Sequence, residues 1–518
     1  MRRLRRQGRS IPRFVVATCA AAMLAPAGSS AAAAATQLQP LPPSAGSAGQ
    51  ASPAGPLSDV IVRAAAPGAA LAAVTRSGGS VTLDLPIVGA VAATLDPSAL
   101  SRLTGDPSVV VIPDLPAHAT VGRYDDHGPT DDSSSGRGSA DGGSSDQASG
   151  APHAGLDQLA AIDLPSRGSA QSGRGVGVAL VDTGVRPSPA LRHLVAGVDL
   201  SGRHGSALTD EFGHGTFMAG LIAGTDGSSK DVGATGAAPD ATLVSVKVAA
   251  EDGSTTMSKL IAGIEWTVEH RLTLPAAPIR VLNLSFGIDL GIAPRTNPLD
   301  AAVEAAWASG ITVVTAAGNT AGTVTSPGDD PWVITAGAVD THSAKSLTSA
   351  TIPTWSGSST SKPDVGAPGV SVRSLRTAGS LIDENFWSHQ TAPAVDDTYA
   401  HGTGTSMATA LTSGAAALVI SHHPDATPDD VKGALRDGSV AAGRDTIIDV
   451  RRADAATSRP GWEQHHPIAF DGLGIGLTAM PWTGMSWTGM SWTGMSWTGM
   501  SWTGMSWTGM SWTDMSWT

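Results

Sequence analysis

Three residues far apart in the chain could together make a serine hydroxyl reactive. Ser406 lies in Gly404-Thr405-Ser406-Met407-Ala408, His214 heads His214-Gly215-Thr216, and Asp182 stands in Val181-Asp182-Thr183-Gly184. A serine hydroxyl is a weak nucleophile near neutral pH. It needs a base within hydrogen-bond reach and an anion that holds the base in one tautomer. The chemistry this set could perform is acyl transfer through a covalent ester on Ser406, with His214 as base and Asp182 as its orienting anion.

Each residue is set in a context that suits its part. Asp182 ends the apolar run 176–181, which puts its carboxylate at the C-terminal edge of a buried sheet, where open α/β sheets hold their sites. His214 and Ser406 each open an apolar helical stretch, 217–222 and 407–420. A serine at a helix start gains from the local positive field as negative charge develops on a substrate. Asn319, in Ala316-Ala317-Gly318-Asn319, follows the apolar run 311–315. Taken alone it reads as a loop-capping asparagine.

The elements that must carry these groups follow from periodicity. From 155 to 456 short apolar strands alternate with helical patterns, which predicts an α/β domain with a doubly wound, mostly parallel sheet flanked by helices. Strands are expected at 176–181, 242–248, 281–285, 311–315 and 333–336. Asn297-Pro298 and Thr427-Pro428 supply helix caps with proline at the first helical position. Upstream, 57–116 predicts a smaller α+β unit. It has strands at 59–63, after the 78–81 turn, at 88–95 and at 109–112, with a helix from Pro97.

The order Asp182, His214, Ser406, each in its motif, resembles the subtilisin-like serine proteases. That resemblance implies that Asn319 donates from its side chain to the oxyanion of the tetrahedral intermediate. It also implies that Gly253-Ser254-Thr255 and Ser285-Phe286-Gly287 line the substrate, with Ile261 to Trp266 and Gly233 to Pro239 matching around them. Thr325 falls where relatives with roomy pockets carry glycine, so its branched side chain is expected to trim the acyl-side pocket. Lys362-Pro363-Asp364-Val365-Gly366-Ala367-Pro368-Gly369 is a further family signature, read as structural. The 57–116 unit resembles the subtilase propeptide, a ferredoxin-like domain that inhibits its own enzyme. The family implies no cofactor for catalysis. Ala190 stands where many relatives carry an acidic calcium ligand, which speaks against the usual high-affinity site. Asp226 and Asp231 bracket a loop that reads more plainly as solvated turn than as a structural calcium site. Ala408-Thr409-Ala410 lacks the proline common after the nucleophile, and 377–397 reads as an insertion at the cleft rim.

The flanking segments carry other signals. Arg2, Arg3, Arg5, Arg6, Arg9 and Arg13 precede an apolar run from Phe14 to about Pro26, so 1–35 reads as a secretory signal peptide. The single cysteine, Cys19, lies inside it, and a secreted enzyme without disulfides is expected. Residues 117–154 read as a Gly/Ser/Asp linker and 457–478 as a second one. The stretch 479–518 is a Met-Ser-Trp-Thr-Gly repeat that places tryptophans at five-residue steps from Trp482 to Trp517. A period of five fits neither strand nor helix, so the tail is expected to order only on binding, at the cell envelope or on copies of itself.

A net charge of −13, with the densest run of arginines confined to the first 13 residues, argues against nucleic acid as partner. Protein or peptide substrates and the chain's own propeptide are the expected partners. A pepsin-type protease needs a second Asp-Thr/Ser-Gly, which does not occur. A lipase or esterase would show the order Ser, Asp, His. An assembly protein acting through the Trp repeats on a protease scaffold is the alternative, and the intact set Asp182, His214, Asn319 and Ser406 weighs against it.

Overall fold

The computed structural model describes residues 56–119 except 67, 158–164, and 173–456 apart from 203–204, 226–235, 275–276, 290–296, 342–343, 345, 387–397 and 443–444. The expected signal peptide, the pentapeptide repeats, most of the linker, Asp226, Asp231 and Trp387 lie outside the described residues.

The first unit is a four-stranded antiparallel sheet covered by two helices. Its elements run strand Ser58–Ala64, helix Ala69–Ser77, strands Ser80–Leu85 and Ala90–Leu95, helix Pro97–Thr104 and strand Val109–Pro113. The first strand lies between the third and the last, and the second strand pairs outside the third. This is the ferredoxin-like arrangement of two interlocked βαβ units. Asp96 caps the second helix by accepting from Ser98 and Ala99 N–H, with Pro97 at its first position. The Ala69–Ser77 helix was not anticipated, because it starts after Gly68 in a left-handed conformation with no capping side chain. The residues 86–88 form a 3-10 turn before the third strand, which therefore begins at Ala90.

The larger unit is built on a nine-stranded sheet. Its spatial order is Val440–Ala442, Asp445–Ile447, Val365–Pro368, Ile334–Val339, Thr312–Ala316, Ile279–Leu284, Gly177–Asp182, Thr242–Lys247 and Leu194–Asp199. All neighbours are parallel except the first pair. From Gly177–Asp182 the chain goes first to the edge strand Leu194–Asp199, places Thr242–Lys247 between the two, and then returns to add Ile279–Leu284 on the other side. That reversal opens a crevice at the strands' C-terminal ends, the place where such sheets bind ligands. The five expected strands are present, each within a few residues of its predicted limits.

The helix Thr405–His422 is buried on every side from Thr405 to Ile420, which suits its lack of a polar face. It packs on the sheet and on the helix His214–Ala223.

Between the units, Pro116–Ala119 forms a strand of its own, so the linker expected from residue 117 begins later. This strand pairs antiparallel with Ser254–Thr256 on one side and with Phe286–Gly287 on the other.

Candidate active site

Asp182 is the last residue of its strand, and the chain turns sharply after it. Gly184 has φ +100°, and a Cβ there would lie 2.0 Å from the carbonyl oxygen of Thr209. A Cβ on Gly215 would lie 2.0 Å from the carbonyl oxygen of Gly184. The strand end and the start of the His214 helix therefore touch backbone to backbone, which explains why both motifs need a glycine. The contact brings His214 Nδ1 to 2.8 Å from Asp182 Oδ1, with both side chains fully buried. Thr183 N–H donates to the same carboxylate oxygen at 2.7 Å and holds it in place. His214 Nε2 is buried with no hydrogen-bond partner among the described residues. With Nδ1 on the carboxylate, Nε2 is the nitrogen left to serve as base.

Ser406 is brought to the same end of the molecule by helix packing. A Cβ on Gly414 would lie 3.1 Å from the carbonyl oxygen of Ile222, so the two helices touch there. Ile222 is eight residues beyond His214, and Gly414 is eight residues beyond Ser406. Both helices begin at the C-terminal edge of the sheet. His214 meets the end of the Asp182 strand, and Thr405 N–H donates to Asn319 Oδ1 at 3.0 Å, just past the strand Thr312–Ala316. Contact at the same distance along both helices sets Ser406 and His214 at the same edge of the sheet. Thr405 Oγ also donates to Asn319 Oδ1 at 3.0 Å and accepts from Gly318 N–H at 3.2 Å. The amide of Asn319 is thus fixed by its oxygen, which makes Nδ2 its donor end.

The substrate-lining residues expected from sequence form the two edges that grip Pro116–Ala119. Ala117 pairs with Thr255 and His118 with Ser254, while His118 and Ala119 pair with Gly287 and Phe286. Ala119 N–H donates to the carbonyl of Gly253 at 3.3 Å. The strand runs toward Ser285, the residue after Leu284, and Leu284 pairs with Val181 one step short of Asp182. The captured segment therefore heads toward the strand end that carries Asp182 and, through it, His214. Thr325 stands against Gly287 and Gly318, since a Cβ on either would come within 2.9 Å of its Oγ.

Ala190 is buried, and its carbonyl accepts from Thr225 N–H at 2.9 Å and Thr225 Oγ at 3.0 Å. Among the described residues no group of three or more His, Cys, Asp or Glu could hold a metal ion. The Lys362 signature is structural. Lys362 Nζ donates to Val333 O and Asp364, and Lys432 Nζ to the successive carbonyls of Pro331, Trp332 and Val333. Of the 377–397 insertion, the helix Leu381–Asn385 hooks onto the segment before His214, with Leu381 and Ile382 N–H donating to the carbonyls of Glu211 and Phe212. No helix among the described residues is long and apolar enough to cross a membrane.

Two carboxylates that matter here were not singled out from sequence. Asp114 of the first unit accepts from Ser258 N–H at 2.9 Å and Ser258 Oγ at 2.6 Å, capping the helix Met257–His270 of the second. Burial pushes its carboxyl up while these bonds oppose the shift. Asp210 is the second. An Asp-x-x-x-His spacing was its only signal, and a turn aspartate reads the same way.

Comparison with known proteins identifies the family. Residues 173–459 match the family model described as the subtilase family. The chain is 37% identical over 289 residues to the serine protease AprX of Bacillus subtilis, which covers 54% of this chain and 64% of that protein's length. It is 32% identical over 368 residues to subtilisin E of the same organism, covering 70% of this chain and 78% of that protein. The crystal structure of fervidolysin from Fervidobacterium pennivorans, titled a keratinolytic enzyme related to subtilisin, superposes with a TM-score of 0.56 at 20% identity. That match covers 79% of this chain and 62% of the other, and it establishes the fold. On the family match, the relatives and the shared α/β architecture, the chain belongs to the subtilase family of serine endopeptidases.

Proposed function

We propose that this protein is a secreted serine endopeptidase made as a self-processing zymogen. Ser406 attacks the scissile carbonyl as His214 takes its proton, and Asp182 holds the resulting imidazolium. Asn319 Nδ2 and the start of the Thr405–His422 helix stabilise the oxyanion. Proton return from His214 to the leaving amine frees the first product, and water then cleaves the ester by the same path in reverse. The reading calls on no cofactor for these steps. Secretion and an envelope role for the Trp repeats are carried by sequence alone.

The observation that carries the reading is the captured strand Pro116–Ala119. A peptide substrate has to be extended and paired through its main chain, and this segment is held that way between both cleft edges. The first unit then acts as inhibitor, its tail lying along the cleft as a cleaved product would. The cut that matures the enzyme falls within a residue or two after Ala119.

The test is Ser406→Ala. The variant is expected to accumulate as the full-length form, whereas the wild type yields a product whose N-terminal sequence starts between Thr120 and Gly122. A fluorophosphonate should label Ser406 in that product. Self-cleavage of the purified variant at the wild-type rate, or no labelling of the wild type, would overturn the reading.

A further inference from the structure

We propose that Asp210 is a positioning residue for the acyl-transfer step, locking the strand end that carries Asp182 and the helix start that carries His214 into one rigid piece. The proposal rests on the triad assignment above. Asp210 lies four residues before His214 and is fully buried. Its carboxylate accepts four hydrogen bonds. Oδ1 takes Thr183 Oγ at 2.8 Å and Gly213 N–H at 2.7 Å. Oδ2 takes Thr216 N–H at 2.8 Å and Thr216 Oγ at 2.6 Å. Thr183 adjoins Asp182, and Gly213 and Thr216 bracket His214, so one side chain ties both partners of the Asp182–His214 bond. Thr183 Oγ closes the loop by accepting from Gly215 N–H at 2.9 Å.

The sequence makes this tie necessary. The His214 helix starts at Gly213, with φ +104° and no side chain to cap the helix. Its first N–H groups need acceptors. Asp210 and Thr183 supply them from outside the helix, and the negative carboxylate also suits the positive end of the helix dipole. Burial pushes the Asp210 carboxyl up, and the donors from Thr216, Gly213 and Thr183 pull against it.

Asparagine has nearly the same shape but cannot do the same work. Each oxygen of Asp210 faces one backbone N–H, from Gly213 and from Thr216. Whichever way the amide turns, its NH₂ meets an N–H that it cannot accept from. One anchor on either side of His214 is therefore lost.

The experiment compares Asp210→Asn with the wild type, counting active sites with a fluorophosphonate. A misplacement near 1 Å costs about 100-fold in rate, so kcat per labelled site is expected to fall about 100-fold with KM within about twofold. The acid limb of the kcat/KM profile should move down by about 0.5 pH unit, because a loosened Nδ1–H to Asp182 bond stabilises the imidazolium less. Thr427→Ala serves as the structural control. It removes the Thr427 acceptor for Asp430 N–H at the start of the helix Pro428–Gly438, and should lower Tm by about 2–4 °C while leaving kcat and the limb unchanged. If Asp210→Asn does not mature, Thr216→Val decides. It removes one of the four donors, and should lower kcat about tenfold with the same shift of the limb. A lowered Tm with normal kcat and limb in Asp210→Asn, or normal values in Thr216→Val, would overturn the proposal while the triad stands. Failure of the wild type to label at Ser406 would remove the triad reading and this proposal together.

Discussion

The two units bury their sheets by different rules. In the large unit both faces are covered by helices of the same unit, and its strands read as continuous apolar runs. In the small unit one face packs on its own two helices through Val60, Val62 and Leu95, whereas Ile61, Leu85, Ile87 and Ala92 belong to the hydrophobic core of the larger unit. Alternation along the first strand thus assigns neighbouring residues to separate cores. Some 60 residues bury too little surface to be firmly stable alone, and here one apolar face of the sheet is covered only by docking. The large unit should therefore keep its fold without the small one, and the small one should be marginal by itself.

The largest test of that contrast is Asp182→Asn. It leaves the docking face untouched, so the first unit should stay bound while the rate falls about 10⁴-fold, as expected when the base is held in the wrong tautomer. A binding assay beside single-turnover kinetics would show the separation. Loss of docking in this variant would mean that site and inhibitor are one cooperative piece.

A change on the docking face should do the reverse. Ile87 is buried at the junction, near Glu265 of the helix Met257–His270. Ile87→Asp places a charge there, and inhibition by the first unit added in trans should weaken about 100-fold or more, with kcat of the mature enzyme unchanged. Equal inhibition by both forms would count against docking through this face.

The junction also makes docking sensitive to pH. Glu265 is pushed up to about 8 by burial first and then by Glu269 and Asp84, while Ile87 N–H favours its charged form. Asp84 and Ile87 come from the small unit. Docking therefore makes the carboxyl take up a proton, and a state that holds the extra proton loses ground as pH rises. Inhibition should weaken from the ordinary carboxylate range up to about pH 8 and level off above it. A change of about 100-fold between pH 5.5 and 8.5 is expected, and Glu265→Gln should flatten it. Inhibition constants measured across that range check the sign, and a curve that strengthens with pH would contradict it.

The smallest effect concerns the cleft where the units meet. Removing the Thr325 side chain from above Gly287 and Gly318 should enlarge the acyl-side pocket, so that Thr325→Gly shifts preference from Leu toward Phe or Tyr by about tenfold. A peptide library profiled with both enzymes would show it. An unchanged profile would place the pocket elsewhere.

The same contrast explains what could be read from sequence. Asp182, His214, Ser406 and Asn319 were legible because each sits where strand, turn and helix patterns leave few alternatives, and because Gly184 and Gly215 mark a backbone contact that tolerates no side chain. The parallel strands were legible as apolar runs. The helix Ala69–Ser77 was not, since Ala-rich sequence without a cap carries little periodic signal. Residues 117–119 carry no strand signal, because three small or polar residues say nothing about the two edges that trap them. Asp114, Asp210 and Glu265 act through donors or neighbours distant in sequence or hidden in a turn. Only the folded chain brings those together.

The three-stranded pairing around Pro116–Ala119 has a consequence for what the enzyme would attack after the proposed maturation. With that strand gone, Ser254–Thr256 and Phe286–Gly287 would be two edges separated by the width of one missing strand. Only a chain with several consecutive residues free of other main-chain partners can fill the space. A helix cannot, and neither can a strand already paired on both sides. Susceptibility should then follow how often a target opens locally, more than which residues flank the bond. For well-folded proteins, the turnover of this enzyme would report the free energy of their least stable segment.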